Sequence, residues 1–169
     1  MTDLDESAVL AILESYRNDP QQIIAALLDV QEASGRSYVE RAWAAAAAGA
    51  LKVPVSRVYE ILTFYSNFSL EPRGRHVAEV CLDGPCLLNG GSELMERLSG
   101  AMGVEEGGTS GDGSLTLEGA GCCGRCAGAP VVRVGDVVYT VRSADEAQTL
   151  VRSFREDDPV AREALKCVL

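Results

Sequence analysis

The first seventy residues carry apolar side chains at helical spacing, three and four positions apart. Asn18-Asp19-Pro20 interrupts this pattern after its first run, since Asp19 suits a helix cap and Pro20 a first turn. Val53-Pro54 interrupts it again, because the residue before a proline disfavours helical backbone. The pattern predicts an all-helical region from about residue 2 to 68. Its four runs cover residues 9–16, 23–31, 39–51 and 55–65.

The pattern changes at Glu71-Pro72-Arg73-Gly74, and alternating apolar positions follow. The elements predicted beyond this point are a strand at 76–81, a helix at 91–102, a glycine-rich acidic stretch at 103–113, a strand at 115–119, a hairpin of 131–134 with 137–141, and a helix at 144–155. A hairpin and a crossover helix suit a small sheet covered by helices. We expect an α+β chain with a helical domain at 1–70, a second domain at 71–156 and a C-terminal tail, loose or a short helix, at 157–169.

Composition and charge narrow the class of protein. The chain has 169 residues, 47% of them apolar, which is enough to bury a core. Its net charge of −10 argues against nucleic acid as a partner, because such a site needs positive potential. The acidic start, MTDLDES, is unlike a signal or transit peptide, and the longest apolar stretch, residues 42–53, is too short to cross a bilayer. We therefore expect a cytoplasmic protein with no membrane insertion.

Four of the six cysteines form two spaced pairs. Cys81 and Cys86 enclose four residues, and Cys122 and Cys126 enclose three, each pair in a glycine-bearing loop soon after a predicted strand. Clustered cysteines in a reducing compartment more often bind metal or do redox chemistry than form structural disulfides. Glycines let the backbone approach a cluster and direct its N–H groups at the sulfurs. The pairs can therefore supply the four thiolates of an iron–sulfur cluster.

The spacing alone leaves the bound group open. It differs from plant-type ferredoxins, in which three ligands share one loop, and from the C-x2-C pairs of common zinc sites. A 2Fe-2S cluster, structural zinc, and disulfides or redox thiols are all compatible with it. A zinc-stabilised interaction module and a dithiol enzyme are thus the alternatives to an electron carrier.

Several segments in order resemble one protein family. LLDVQEASG and VPVSRVYEILTFYSNFSLEPRGRH lie in the helical half, and CLDGPCLLNGG and CCGRCAGAPVV follow in the second half. Together they resemble the small thioredoxin-like 2Fe-2S subunit of NADH:quinone oxidoreductase, with relatives in NAD(P)-linked hydrogenases and formate dehydrogenases. The resemblance covers most of the chain.

The resemblance implies a helical N-terminal bundle followed by a thioredoxin-like domain whose 2Fe-2S cluster is held by Cys81, Cys86, Cys122 and Cys126. It also implies an electron-transfer subunit without a catalytic site of its own, one part of a multisubunit oxidoreductase. Its partner would be a flavoprotein that carries FMN and binds NAD(P)(H). Which complex the chain serves is not indicated.

Other candidate residues are given structural roles. Cys123 stands where the family usually has an apolar residue, and it makes a thioredoxin-like CGRC run, but no helix is predicted to follow. We interpret Cys123 as a small apolar residue beside the cluster and Cys167 as a free thiol near a flexible end. The only histidine, His76, is interpreted as a surface or core residue. The aromatic stripe Tyr59, Phe64, Tyr65 and Phe68 is interpreted as core, and Glu105, Glu106 and Asp112 as part of a solvated loop.

Overall fold

The computed structural model describes residues 4–167. The chain divides into two compact units, residues 1–73 and 74–169. The first unit is helical, with α1 at Glu6–Glu14, a 3-10 turn at Pro20–Gln22 leading into α2 at Ile23–Ala33, α3 at Arg41–Leu51 and α4 at Val55–Phe64. Asp19 caps the turn before α2 by accepting the Gln21 N–H. All four predicted helices are present, and their ends lie within one helical turn of the expected positions.

The alanine-rich helix α3 packs against α1, α2 and α4. Its small side chains let these helices approach closely, and its larger side chains, Trp43 and Leu51, are buried in the core. The aromatic stripe behaves differently from the expectation. Phe68 is buried, but Phe64 is 79% exposed and Tyr65 44% exposed, because α4 ends at Phe64 and Tyr65 adopts extended backbone. The interpretation of the whole stripe as core is therefore wrong.

The second unit is a four-stranded sheet with helices. Its elements are β1 at His76–Cys81, α5 at Gly84–Leu88, α6 at Gly91–Met102, β2 at Leu115–Ala120, a 3-10 turn at Cys126–Gly128, β3 at Val131–Val134, β4 at Val137–Thr140, α7 at Ala144–Arg155 and α8 at Pro159–Glu163. The strand order is β2-β1-β3-β4. β1 pairs in parallel with β2, across the α6 crossover, and antiparallel with β3. The mixed sheet with helices confirms the α+β class.

The core of this unit lies between the sheet and the helices α6 and α7. Alternate strand residues such as Ala78, Val80 and Leu117 meet Leu98 and Phe154 there. A capping box at Ser143 and Glu146 begins α7. Within residues 4–167, no helix combines the length and apolar character needed to span a bilayer.

The glycine-rich stretch before β2 is ordered by its own hydrogen bonds, so the solvated-loop interpretation is wrong for Asp112. One Asp112 carboxylate oxygen accepts bonds from the Ser110 hydroxyl at 2.6 Å, the Ser114 hydroxyl at 2.7 Å and the Ser114 N–H at 2.9 Å. The other oxygen pairs with Arg155 at 3.1 Å. The hydrogen bonds from Ser110 and Ser114 hold the pKa of the Asp112 carboxyl well below its usual value. Asp112 thereby connects the turn at residues 110–114 to Arg155 of α7.

We expect Asp112→Asn to lower the free energy of unfolding by about 1 kcal/mol at neutral pH, since the carboxylate is half exposed and screened. The lowered pKa means that the contribution is fully present above the ordinary carboxyl value of 3.8 and is lost as the pH falls toward the folded-state value. Urea titrations of both chains from pH 7 to pH 3 measure this difference. A gap between them that persists unchanged at pH 3 would refute the role of the charge.

Candidate functional site

The cysteine loops lie on the sheet face opposite the helices α6 and α7. Side chains alternate between faces along a strand, so Cys81 points away from the face that carries Val80. On the Cys81 face, a small apolar group contains Cys81, Cys86 and Val131. One cysteine loop follows β1 and the other follows β2, and these two strands are parallel neighbours. Their carboxyl ends therefore bring the two loops to one edge of the sheet.

Cys81 and Cys86 form a buried pair, 1% and 2% exposed. Both side chains belong to one small buried apolar group with Val131. The backbone N–H groups of Asp83 and Cys123 favour the ionised form of Cys81, and the N–H of Val131 favours that of Cys86. Short helix α5, with Pro85 in its first turn, turns the chain so that Cys86 faces back toward Cys81.

Cys122 and Cys126 form an exposed pair whose sulfurs lie 3.8 Å apart. Two thiolates on one tetrahedral metal, at metal–sulfur distances of about 2.3 Å, are separated by roughly 3.8 Å. The Gly124 N–H lies 3.4 Å from the Cys122 sulfur. The pair therefore already has the separation of two ligands on one metal.

Asp83 links the two loops, and nothing in the sequence pattern singles it out. Its carboxylate, in the first loop, accepts the Cys122 N–H of the second loop at 2.6 Å. This contact joins positions 39 residues apart, so only the folded chain reveals it. Asp83 thus positions the backbone of Cys122 relative to the loop that carries Cys81 and Cys86.

The four cysteines have the donor chemistry of a two-iron site. Each iron of such a cluster takes two protein thiolates, so two pairs are needed rather than four sulfurs around one point. Within residues 4–167, no three Cys, His, Asp or Glu side chains converge closely enough to hold one metal ion. The observed grouping of the four cysteines into two pairs fits a 2Fe-2S cluster.

Two of the four thiols, Cys86 and Cys126, resist ionisation. Burial, and then the hydrogen bond with Cys81, raises the pKa of Cys86 to about 11. The hydrogen bond with Cys122 and the charge of that thiolate raise the pKa of Cys126. Burial also opposes ionisation of Cys81, but the N–H groups of Asp83 and Cys123 outweigh it and lower the pKa of Cys81. A bound metal cation would favour the thiolate forms, because metal binding to cysteine releases the thiol protons.

The glycines of the loops serve different purposes. Gly90 and Gly124 adopt positive φ, at 95° and 72°, where other residues are strained. Gly91 is a close approach, because an ideal Cβ there would lie 3.0 Å from the carbonyl oxygens of Cys81 and of Cys86. An ideal Cβ on Gly84 would meet no described atom within 4 Å, and one on Gly121 only the Asp83 carboxylate at 3.8 Å.

The two remaining cysteines both lie beside this site. Cys123 packs against the apolar group of Cys81, Cys86 and Val131, and burial raises the pKa of the Cys123 thiol to about 11. Cys167 packs against the same apolar group, and its N–H donates to the Val138 carbonyl at 2.9 Å. Cys167 is a free thiol, as expected. The expectation of a flexible end is wrong for residues 165–167, because they are hydrogen-bonded to β4. No sequence signal marks that contact.

His76 lies apart from the cysteine site, at the start of β1. Its ring stacks on Phe154 with centroids 4.9 Å apart. Burial, together with the charges of Arg75 and Arg162, lowers the pKa of His76. The structure thus gives His76 contacts of the helix-facing core, in agreement with its expected structural role.

The sequence matches the family of thioredoxin-like [2Fe-2S] ferredoxins over residues 9–155, and the chain belongs to that family.

Several similar proteins are named as the E subunit of NADH-quinone oxidoreductase. The protein of Rickettsia typhi is 29% identical over 147 residues, which is 86% of each chain. That of Rickettsia bellii is 31% identical over 65% of this chain and 66% of its own. One from Rhizobium meliloti is 38% identical over 61% of each chain. The similarity therefore extends well beyond the cysteine loops.

A solved structure has the same fold. The NAD+-reducing [NiFe]-hydrogenase in its air-oxidised state matches 83% of this chain with a TM-score of 0.68 and 18% identity. The match spans only 24% of that hydrogenase chain, about a quarter of its length. The thioredoxin-like fold is thereby confirmed.

Proposed function

We propose that this chain is an electron-transfer subunit that holds one 2Fe-2S cluster on Cys81, Cys86, Cys122 and Cys126. The observation that carries the proposal is the pairing of these cysteines at one sheet edge, with 3.8 Å between the sulfurs of Cys122 and Cys126. When bound, the cluster would accept and release single electrons. The chain's own part is to hold the four thiolates and to set the charge around them.

The N–H groups that point at the sulfurs favour added negative charge. The Gly124 N–H lies 3.4 Å from the Cys122 sulfur. The N–H groups of Asp83, Cys123 and Val131 favour the ionised forms of the buried pair. Such hydrogen bonds stabilise a reduced, more negative centre, because they act in a partly desolvated place. They therefore offset the low potential that an acidic chain otherwise favours.

The site has one open side. Cys122 and Cys126 are exposed, whereas Cys81 and Cys86 are buried. A redox partner can therefore approach most closely at the exposed pair. We propose that this partner is the FMN of a flavoprotein subunit that exchanges electrons with NAD(P)(H), within a larger oxidoreductase complex. The names of the relatives, a component of NADH-quinone oxidoreductase and an NAD+-reducing hydrogenase, support that placement. A cytoplasmic location stays a prediction from the sequence.

The dithiol alternative is weakened by the surroundings of Cys123 and Cys126. A reactive dithiol needs a thiol with lowered pKa, usually at the start of a helix. Here burial raises the pKa of Cys123 to about 11, and only a 3-10 turn of three residues, Cys126–Gly128, follows. These features favour thiols that ionise on metal binding over thiols that exchange disulfides.

The partner proposal is tested by affinity purification of the full chain from its own cells. We expect FMN to be recovered with it, and NADH or NADPH to reduce the cluster anaerobically in the purified complex. A control preparation of the isolated chain should be reduced by dithionite but not by NAD(P)H. A cluster that dithionite reduces but that NAD(P)H leaves oxidised in every recovered complex would contradict the proposed partner.

A charge pair on the cysteine face gives a further prediction. Arg133 on β3 makes two hydrogen bonds of 2.8 Å to Glu79 on β1, and its charge acts on Cys123 beside Cys81. We expect Arg133→Gln to lower the midpoint potential of the cluster, and Glu79→Gln to raise it, each by tens of mV. Potentiometric titration followed by EPR measures both shifts. Shifts of the same sign in the two variants would refute a charge effect.

A further inference from the structure

The C-terminal residues form an added edge on the sheet. Asp158 caps α8, and Arg162 in that helix lies over the Phe154 ring, 4.6 Å from its centroid. Beyond the helix the chain runs antiparallel to β4. The Thr140 N–H donates to the Leu165 carbonyl at 2.9 Å, and the Cys167 N–H donates to the Val138 carbonyl at 2.9 Å. This pairing holds the Cys167 side chain in a fixed place.

That place is against the loop that carries Cys126. An ideal Cβ on Gly128 would fall far inside van der Waals contact of the Cys167 sulfur. Gly128 is buried and does not have the positive φ that restricts other residues, so space rather than backbone geometry requires glycine here. The Thr140 hydroxyl also donates to the Gly128 carbonyl at 3.2 Å. Cys167 and Thr140 therefore hold this loop from the same side.

We propose that the C-terminal segment, residues 164–167, positions the Cys126 loop, with the Cys167 thiol occupying the space next to Gly128. Cys167 is in this account a positioning residue that acts through Gly128 on the Cys126 sulfur. The consequence at the cluster rests on the proposed function, whereas the fit between Cys167 and Gly128 does not. The fit between the Cys167 side chain and Gly128 can be tested by adding a methyl group at position 128 and removing the sulfur at position 167.

The experiment compares four full-length variants with the unaltered chain: Gly128→Ala, Cys167→Ala, the two together, and Gly100→Ala. Gly100 is a matched control, because a Cβ on this α6 residue would meet no described atom within 4 Å. We expect Gly128→Ala to shift the EPR g values of the reduced cluster and to speed its loss to a chelator about tenfold, because overpacking displaces the loop. The double variant should return within about twofold of the unaltered chain, since the sulfur is gone and the other tight neighbour, the Thr140 hydroxyl at 3.2 Å, needs to shift by only a few tenths of an ångström.

Each result decides the proposal. Rescue by Cys167→Ala supports it. It is overturned if Gly128→Ala leaves g values and cluster retention unchanged, or if the double variant is as impaired as Gly128→Ala alone. If the unaltered chain binds no iron, the proposed function fails, and the same four variants are then compared by thermal unfolding of the metal-free protein. In the metal-free protein, Gly128→Ala should lower the Tm by about 5 °C because of the clash, and the double variant should regain the Tm of the unaltered chain. An equal Tm in Gly128→Ala and the double variant overturns the inference.

Discussion

Serine at any one of Cys81, Cys86, Cys122 or Cys126 is expected to abolish stable 2Fe-2S binding. The loss of a group that merely orients a ligand weakens metal binding about 10- to 100-fold, and loss of a ligand exceeds that. Iron and acid-labile sulfide per chain, counted after anaerobic purification, measure the effect. The buried pair should be the more sensitive one, since serine there leaves a hydroxyl where the thiols of Cys81 and Cys86 are nearly without solvent.

Cys123→Ser is the matched control for this series, because it alters a sulfur adjacent in sequence to a proposed ligand. Cys123 packs against the group that contains Cys81, whereas the sulfur of Cys122 lies 3.8 Å from that of Cys126. We expect this variant to keep its iron and sulfide. Full occupancy in Cys122→Ser, together with loss in Cys123→Ser, would transfer the third ligand to Cys123 and refute the proposed set.

The second large effect is expected for Gly91→Ala, at the start of α6. Its Cβ would lie 3.0 Å from the carbonyl oxygens of Cys81 and Cys86, and neither backbone oxygen can move without displacing a proposed ligand. Overpacking of this kind costs about 2 kcal/mol. We expect a loss of that size in the free energy of unfolding, measured by urea denaturation, and a shift in the EPR spectrum of the reduced cluster.

Gly84→Ala tests whether this loss is specific. Gly84 lies in the same loop, between the two cysteines, but an ideal Cβ there would meet no described atom within 4 Å. The substitution should be neutral or slightly stabilising, because it restricts only the unfolded chain. If Gly84→Ala and Gly91→Ala destabilise equally, the close approach at Gly91 is not what requires glycine.

Regular elements with strong periodicity could be predicted from the sequence. The strand at His76–Cys81 and the helices at Gly91–Met102 and Ala144–Arg155 begin and end where the apolar pattern indicates. Short elements could not be predicted in this way. Helix α5 has five residues, too few to show a period, although Asp83-Gly84-Pro85 carries a proline suited to a first turn.

Contacts between distant parts of the chain account for the other differences. Asp83 with Cys122, Asp112 with Arg155 and Cys167 with the Cys126 loop are each set by the fold and leave no local signal. The two cysteine pairs could be recognised from the sequence, because a metal site often takes two ligands from one short loop. The structure places them as pairs at one edge, while the ligand set itself stays a prediction.

The measurement that tests the central claim most directly is the EPR spectrum of the anaerobically purified chain after reduction with dithionite, with iron and sulfide counted on the same sample. A 2Fe-2S carrier predicts a rhombic signal near one spin per two irons. A silent sample that contains zinc, or no metal, would contradict the account and return the chain to an interaction module or a dithiol protein.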